Sequence, residues 1–428
     1  MKKLSILLIM LFFSVLVQAQ FTIHIHMNNN SLGKQAILYQ LDGSKYVIID
    51  SKKTKKQLKF KVKEPYTGMM KIYWADTNQT LNFISENKKV EIGLTVENRN
   101  IKDIDFIDAS NKLMNEVQDK QHKNEYIFPA LVQIKSYYRP NTSFYQSLEK
   151  EISRLGEKVI IDKEKHPFVD YYHTNYNQYL VENATKAKPS KEDIIQFMSS
   201  SNEMLETSSL LRPLLISYLS QSRDNVEASV DKLLDALLID TPRGQTVLSE
   251  MIDLFSAYGM EDYEKQYLAK AKGLKCTIND RLSSTIEVHK GTEIGATFKN
   301  YIFSKNVKNT KVKSLHDIKA NKKVIVFWSS GCGHCKKDLP QILEKYNQLK
   351  TKNVEVIGLS LDTSKAEYER EIKAFQWVND SQLRGWNSTY ADDYNINGTP
   401  TYFILDKNNK IIAKPSRAEN VLDYFKVK

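Results

Sequence analysis

The hydrophobic period changes twice along this chain, and each change restricts the architecture that can follow. From Gln20 to about residue 104 the period is two: Phe21, Ile23, Ile25 and Met27 alternate with Thr22, His24 and His26, and Leu58, Phe60 and Val62 alternate with lysines. Such alternation puts the apolar side chains on one face of a strand, and the Gly, Asn and Asp clusters between runs are turn signals. The pattern predicts an all-β module over 20–104, a small sandwich or barrel. From 105 to 284 the spacing is helical, with Val226, Val230, Leu233, Leu234 and Leu237 forming one apolar stripe and Val247, Met251, Leu254, Phe255 and Tyr258 another. Thr241-Pro242-Arg243-Gly244 separates the two, as Pro at a helix start predicts. No fixed self-similarity marks a repeat array, so the expectation is a central α-helical domain.

The third section, 285–428, alternates strand and helix. Strands are expected at Val324 to Phe327, Val354 to Leu359, Thr401 to Leu405 and Ile411 to Ala413, and helices from Cys332, from Ser364 to Phe375 and from Ala418 to Phe425. One βαβ half followed by one ββα half specifies an α/β fold, a mixed sheet flanked by helices. The chain is therefore read as multidomain.

Residues 1–19 have the pattern of a secretory signal peptide: Lys2 and Lys3, an apolar stretch from Leu4 to Val17, then Val17-Gln18-Ala19 as a cleavage site. The apolar stretch is shorter than the roughly 20 residues a membrane-spanning helix needs. A periplasmic or other envelope location is expected, where a cysteine pair can hold or exchange a disulfide. The formal charge is +11, but the basic residues are scattered through every segment, which does not favour nucleic acid as a partner.

The three cysteines, Cys276, Cys332 and Cys335, exclude a disulfide-rich scaffold and a four-cysteine zinc site. Cys332-Gly333-His334-Cys335 lies where a buried strand ends and a helix begins. A thiol there meets unpaired backbone N–H groups and the positive end of the helix dipole, which favour thiolate over thiol. Cys332 is expected to be the nucleophile and Cys335, one turn deeper, the resolving thiol. His334, when protonated, would add to the stabilisation, as would Lys336 and Lys337 through solvent. An inert structural disulfide or half of a zinc site is the bland alternative for the pair. His24 and His26 share one side of a strand and are read as a solvated face, and Cys276 as a plain single thiol. Neither a metal nor another cofactor is expected.

Phe327-Trp328 ahead of the pair, the Cys-x-x-Cys itself, Pro340 five residues on and Gly398-Thr399-Pro400 before a strand together resemble the thioredoxin superfamily. The resemblance covers about 290–428 and is closer to the exported TlpA/ResA-type thiol-disulfide oxidoreductases. The β and helical regions resemble the N-terminal extensions of Bacteroidota envelope members. The resemblance implies that Pro400 is cis and lies against the cysteines, and that the backbone of Thr399 pairs with a bound substrate chain, with Trp328 and Gly333 also on the substrate side. It implies a proton-transfer role for Asp338, where envelope members carry Glu; Val326 stands where cytoplasmic thioredoxins carry a buried Asp. It implies client proteins with disulfides or thiols, a membrane electron donor or acceptor, and a role of the kind served in cytochrome c maturation. A homodimer through the N-terminal domains is a further expectation. The favoured activity is disulfide reduction or general exchange; a redox-inert scaffold, or a disulfide oxidase or isomerase, is the alternative.

Overall fold

The computed structural model describes residues 21–157, 159–181, 188–222, 225–396 and 398–427, so the expected signal peptide at 1–19 lies outside the described residues. Eight strands come first: β1 (Phe21–Met27), β2 (Gln35–Asp42), β3 (Lys45–Lys53), β4 (Gln57–Val62), β5 (Thr67–Trp74), β6 (Gln79–Glu86), β7 (Val90–Glu97) and β8 (Asn100–Phe106). They form two four-stranded sheets, ordered β4-β1-β7-β8 and β3-β2-β5-β6. Both sheets turn their apolar alternates inward, Phe21, Ile23, Ile25 and Phe60 from one and Leu38, Ile72, Trp74 and Leu81 from the other. Two distinct sheets over one core make this a sandwich.

Helices follow: α1 (Ala109–Tyr126), α2 (Phe128–Lys135), α3 (Ser143–Gly156), α4 (Pro167–Tyr179), α5 (Lys191–Ser200), α6 (Met204–Thr207), α7 (Leu211–Ser220), α8 (Val226–Ala236), α9 (Pro242–Ala257), α10 (Glu261–Lys272) and α11 (Asp280–Thr292). They do not form one body: α1 to α4 and α6 cluster with the sandwich, while α5 and α7 to α11 cluster with the C-terminal sheet. The boundaries drawn at 104 and 284 fall inside β8 and α11 respectively. α11 runs on because Asn279 caps its start by accepting the Leu282 N–H, and its later turns bury Thr285, His289 and Thr292. Those are polar residues, invisible to a count of apolar spacing.

The C-terminal sheet has the order β11-β10-β9-β12-β13, from β9 (Lys322–Trp328), β10 (Val354–Ser360), β11 (Val378–Ser381), β12 (Thr401–Asp406) and β13 (Ile411–Ala413). β9, β10 and β11 run parallel, and β12 pairs antiparallel with both β9 and β13. Helices α12 (Gly333–Thr351), α13 (Lys365–Glu371), α14 (Thr389–Asp393) and α15 (Ala418–Tyr424) complete the domain. The central strands are buried on both faces: Val324, Val326 and Trp328 enter one core with Leu339 and Ile342 of α12, and Ile325 and Phe327 enter a second core with Phe298 and Tyr390.

Candidate active site

The site is built at the carboxyl end of β9, the central strand of the mixed sheet, beside the carboxyl end of its parallel neighbour β10. The loop Ser329-Ser330-Gly331 between β9 and α12 is pinned by Asp362, which follows β10 and is 4 % exposed. Asp362 Oδ1 accepts the Ser330 N–H at 2.8 Å and the Ser330 and Ser329 hydroxyls at 2.7 and 3.1 Å, while the Ser360 hydroxyl donates to Oδ2 at 2.7 Å. The chain leaving the strand is thereby fixed in direction before it reaches the first cysteine.

Cys332 is the N-cap of α12, and Gly333 is the first helical residue. Its Sγ accepts the Cys335 N–H at 3.1 Å, taking the place a Ser or Asp oxygen fills at other helix starts. The sulfur is half-buried and also donates to the Thr399 carbonyl oxygen at 3.2 Å. Thr399-Pro400 is a cis peptide bond, and it leads directly into β12. Cys335 is 1 % exposed. Burial, with Cys332's sulfur adding to it, pushes its thiol up to about 12. Both sulfurs are free thiols. Cys332, Cys335, Thr399 and Pro400 are thus brought to one place.

His334, Lys336 and Lys337 are exposed on the first turns of α12. Asp338 lies one turn beyond Cys335 on the same helix, half-buried, and its Oδ2 accepts the Ala418 N–H at 3.0 Å and the Tyr402 hydroxyl at 3.4 Å. Trp328 departs from its expected place: it is 2 % exposed and packs edge-on against Phe375 at 5.3 Å between ring centroids. It supports the site from within the core and offers no face to a substrate, because β9 ends with this side chain pointing toward α12 and α13. Two residues of the site carried no signal in sequence. Asp362 sits in an unremarkable Leu-Asp-Thr run, and Tyr402 reads as an ordinary strand aromatic.

Elsewhere, His26 hydrogen-bonds Gln57 and Glu91, each at 3.0 Å. Among the described residues no cluster of three or more His, Cys, Asp or Glu is arranged to hold a metal ion. Cys276 is half-buried and accepts a hydrogen bond from Gln245 at 3.4 Å.

A family model described as thioredoxin-like matches residues 321–411, the segment that holds this site. Thiol-disulfide oxidoreductase ResA of Bacillus cereus is 28 % identical over 127 residues, covering 28 % of this chain and 69 % of that protein. The Bacillus subtilis ResA is 26 % identical over 104 residues, covering 24 % of this chain and 58 % of its own length. Among solved structures, the thioredoxin domain of a thiol-disulfide oxidoreductase from Bacteroides vulgatus is 25 % identical, covering 31 % of this chain and 97 % of its own with a TM-score of 0.28. The family-model match lies within the C-terminal domain.

Proposed function

We propose that this chain, whose residues 321–411 match a thioredoxin-like family model and which is similar to thiol-disulfide oxidoreductases, exchanges disulfides with cysteines of envelope proteins, in the direction of reduction or of general exchange. The observation that carries this reading is the asymmetry of the two sulfurs: Cys332 is half-exposed and capped by the Cys335 amide, while Cys335 is buried with its thiol pushed up to about 12. An outer sulfur at a helix start is suited to attack, and an inner thiol kept protonated waits until a mixed disulfide forms beside it.

The cycle balances as two electrons per client disulfide. Cys332 thiolate attacks one client sulfur, forming a Cys332–client bond and releasing the other client sulfur as thiolate. Cys335 then loses its proton and attacks Cys332 Sγ; the Cys332–Cys335 bond forms, the mixed disulfide breaks, and the client leaves reduced. The Thr399 carbonyl, 3.2 Å from Cys332 Sγ, marks the backbone edge along which an extended client segment would lie. The oxidised pair must then be reduced by a donor, for which a membrane electron carrier is the proposed source. Export by residues 1–19 would place the cycle in the periplasm or envelope, and no cofactor is required. The sandwich unit is the candidate for self-association.

Insulin reduction tests the reading. Cys332→Ser is expected to abolish turnover, and Cys335→Ser to accumulate mixed disulfides with client proteins. Insulin reduction at the wild-type rate by Cys332→Ser would overturn this reading, and absence of turnover in the wild-type chain would leave a redox-inert scaffold.

A further inference from the structure

Resolution of the mixed disulfide requires Cys335 to give up its proton, and its surroundings oppose that. The burial that is the main cause of its raised pKa, with Cys335 only 1 % exposed, persists in the mixed disulfide and keeps the thiol protonated. The step therefore needs an acceptor close by. Asp338, one helical turn on from Cys335, is the carboxylate within reach of the same face of α12. A carboxylate on a free rotor is a poor acceptor, and Asp338 is not free: one of its oxygens meets the Ala418 amide at the start of α15 and the Tyr402 hydroxyl on β12.

Tyr402 has no other evident reason to be a tyrosine. Its side chain is 1 % exposed and lies in the core layer that holds Cys335, Trp328 and Leu339, where Phe or Leu would fill the space. Burial, then the charge of Asp338 and that of Cys335, holds its phenol above the ordinary range, so it remains an O–H donor throughout the working pH range. The titratable groups that act on the Tyr402 phenol are Asp338, Cys335 and Cys332, and from α15 the Asp338 carboxylate meets the uncharged amide of Ala418.

We propose that Tyr402 is a positioning residue for the resolving step: its hydroxyl, together with the Ala418 amide, aims the Asp338 carboxylate so that it takes the proton of Cys335. The proton passes from Cys335 Sγ to the carboxylate, the Cys335 thiolate closes the bond to Cys332, and the client sulfur departs with the electron pair of the broken bond. Asp338, half-buried, then returns its proton to solvent. The inference rests on the exchange activity proposed above.

The test is a double-mutant cycle in the full chain, with single-turnover kinetics that separate formation of the mixed disulfide from its resolution, read across pH. Tyr402→Phe is expected to leave formation unchanged and to slow resolution about 5- to 10-fold, the loss of one hydrogen bond to a charged group. The acid limb of the resolution profile should move to higher pH, because a carboxylate that loses a donor holds its proton more readily. In an Asp338→Asn background the same change should have no further effect. An unchanged resolution rate in Tyr402→Phe, or an equal slowing with and without Asp338, would overturn the inference. Asp338→Asn alone keeps the test decisive should the Phe variant not fold, since resolution at the wild-type rate there also overturns it. Absence of any mixed disulfide in the wild-type chain would instead count against the exchange activity itself.

Discussion

A single carboxylate sets the direction in which the chain enters the reactive turn. Asp362 gathers the Ser330 amide and the hydroxyls of Ser329, Ser330 and Ser360, and Ser330 is 7 % exposed, so water cannot replace what Asp362 supplies. Asp362→Ala leaves the buried Ser330 N–H without a partner and is expected to cost about 1–3 kcal/mol in urea unfolding. The same variant should exchange disulfides more slowly while its Cys332 remains the first thiol alkylated, which mass mapping after limited iodoacetamide checks. The two cysteines were legible at a strand-to-helix junction, and Gly398-Thr399-Pro400 entered through the resemblance to the thioredoxin superfamily. Asp362 and Tyr402 were not, because each acts through a hydrogen bond to a residue far away in sequence, 32 positions for Asp362 and 64 for Tyr402. No local pattern encodes such a distance.

Strands reveal themselves by apolar alternation only when their polar members face water, and β11 shows what happens otherwise. Val378-Asn379-Asp380-Ser381 is buried throughout, yet three of its four residues are polar. Asp380 Oδ2 accepts the Tyr301 hydroxyl at 2.8 Å and the Ser304 amide at 2.6 Å, and the Asn379 Oδ1 accepts the Trp377 indole N–H at 3.2 Å. Burial is tolerated because each polar group is partnered, so the strand escaped a reading based on hydrophobicity while β9, β10, β12 and β13 did not. The neighbouring strand supplies the space that Trp328 needs. At Gly358 of β10 an added Cβ would lie 2.4 Å from Asn379 Oδ1 and 2.9 Å from Trp328 Nε1. Both atoms sit in packed core, and neither can retreat toward solvent. Gly358→Ala is therefore expected to cost about 1–3 kcal/mol by overpacking and to shift the denaturation midpoint without changing the slope. Displacement of the Trp328 ring should appear as altered native-state fluorescence. A variant as stable as wild type would show that the sheet opens more easily than its packing implies.

The second half of the chain joins helices to the catalytic sheet through buried charge rather than through apolar surface alone. His289 of α11 is 1 % exposed; its Nδ1 lies 2.9 Å from Glu264 of α10 and its Nε2 3.2 Å from Asp253 of α9. Arg281 donates to Asp253 at 2.7 Å and to Glu250 at 2.8 Å, Asn395 following α14 donates to Asp253 at 3.3 Å, and Lys414 following β13 lies 3.7 Å from Glu264. The network thus spans three helices and two loops of the C-terminal domain. Burial works against a charged His289, but its hydrogen bonds to Asp253 and Glu264 outweigh that, and its pKa is raised above 6.5. Glu264 has the mirror balance: burial works against its charge, the bond from His289 and the charge of Lys414 prevail, and its pKa is lowered below 4.5. The histidine's contribution is complete below about 6.5 and disappears as pH rises through its folded value; the glutamate's is complete above about 4.5 and disappears as pH falls through its own. Both act fully between those two values, so stability of the full chain should peak in mildly acidic solution and decline toward pH 9. His289→Gln, which keeps a hydrogen-bonding side chain but no titrating charge, should lose on the order of 2 kcal/mol near pH 6 and flatten the alkaline decline. Urea unfolding from pH 4 to 9 measures both, and an alkaline decline of equal depth in the variant would place its origin in some group other than His289.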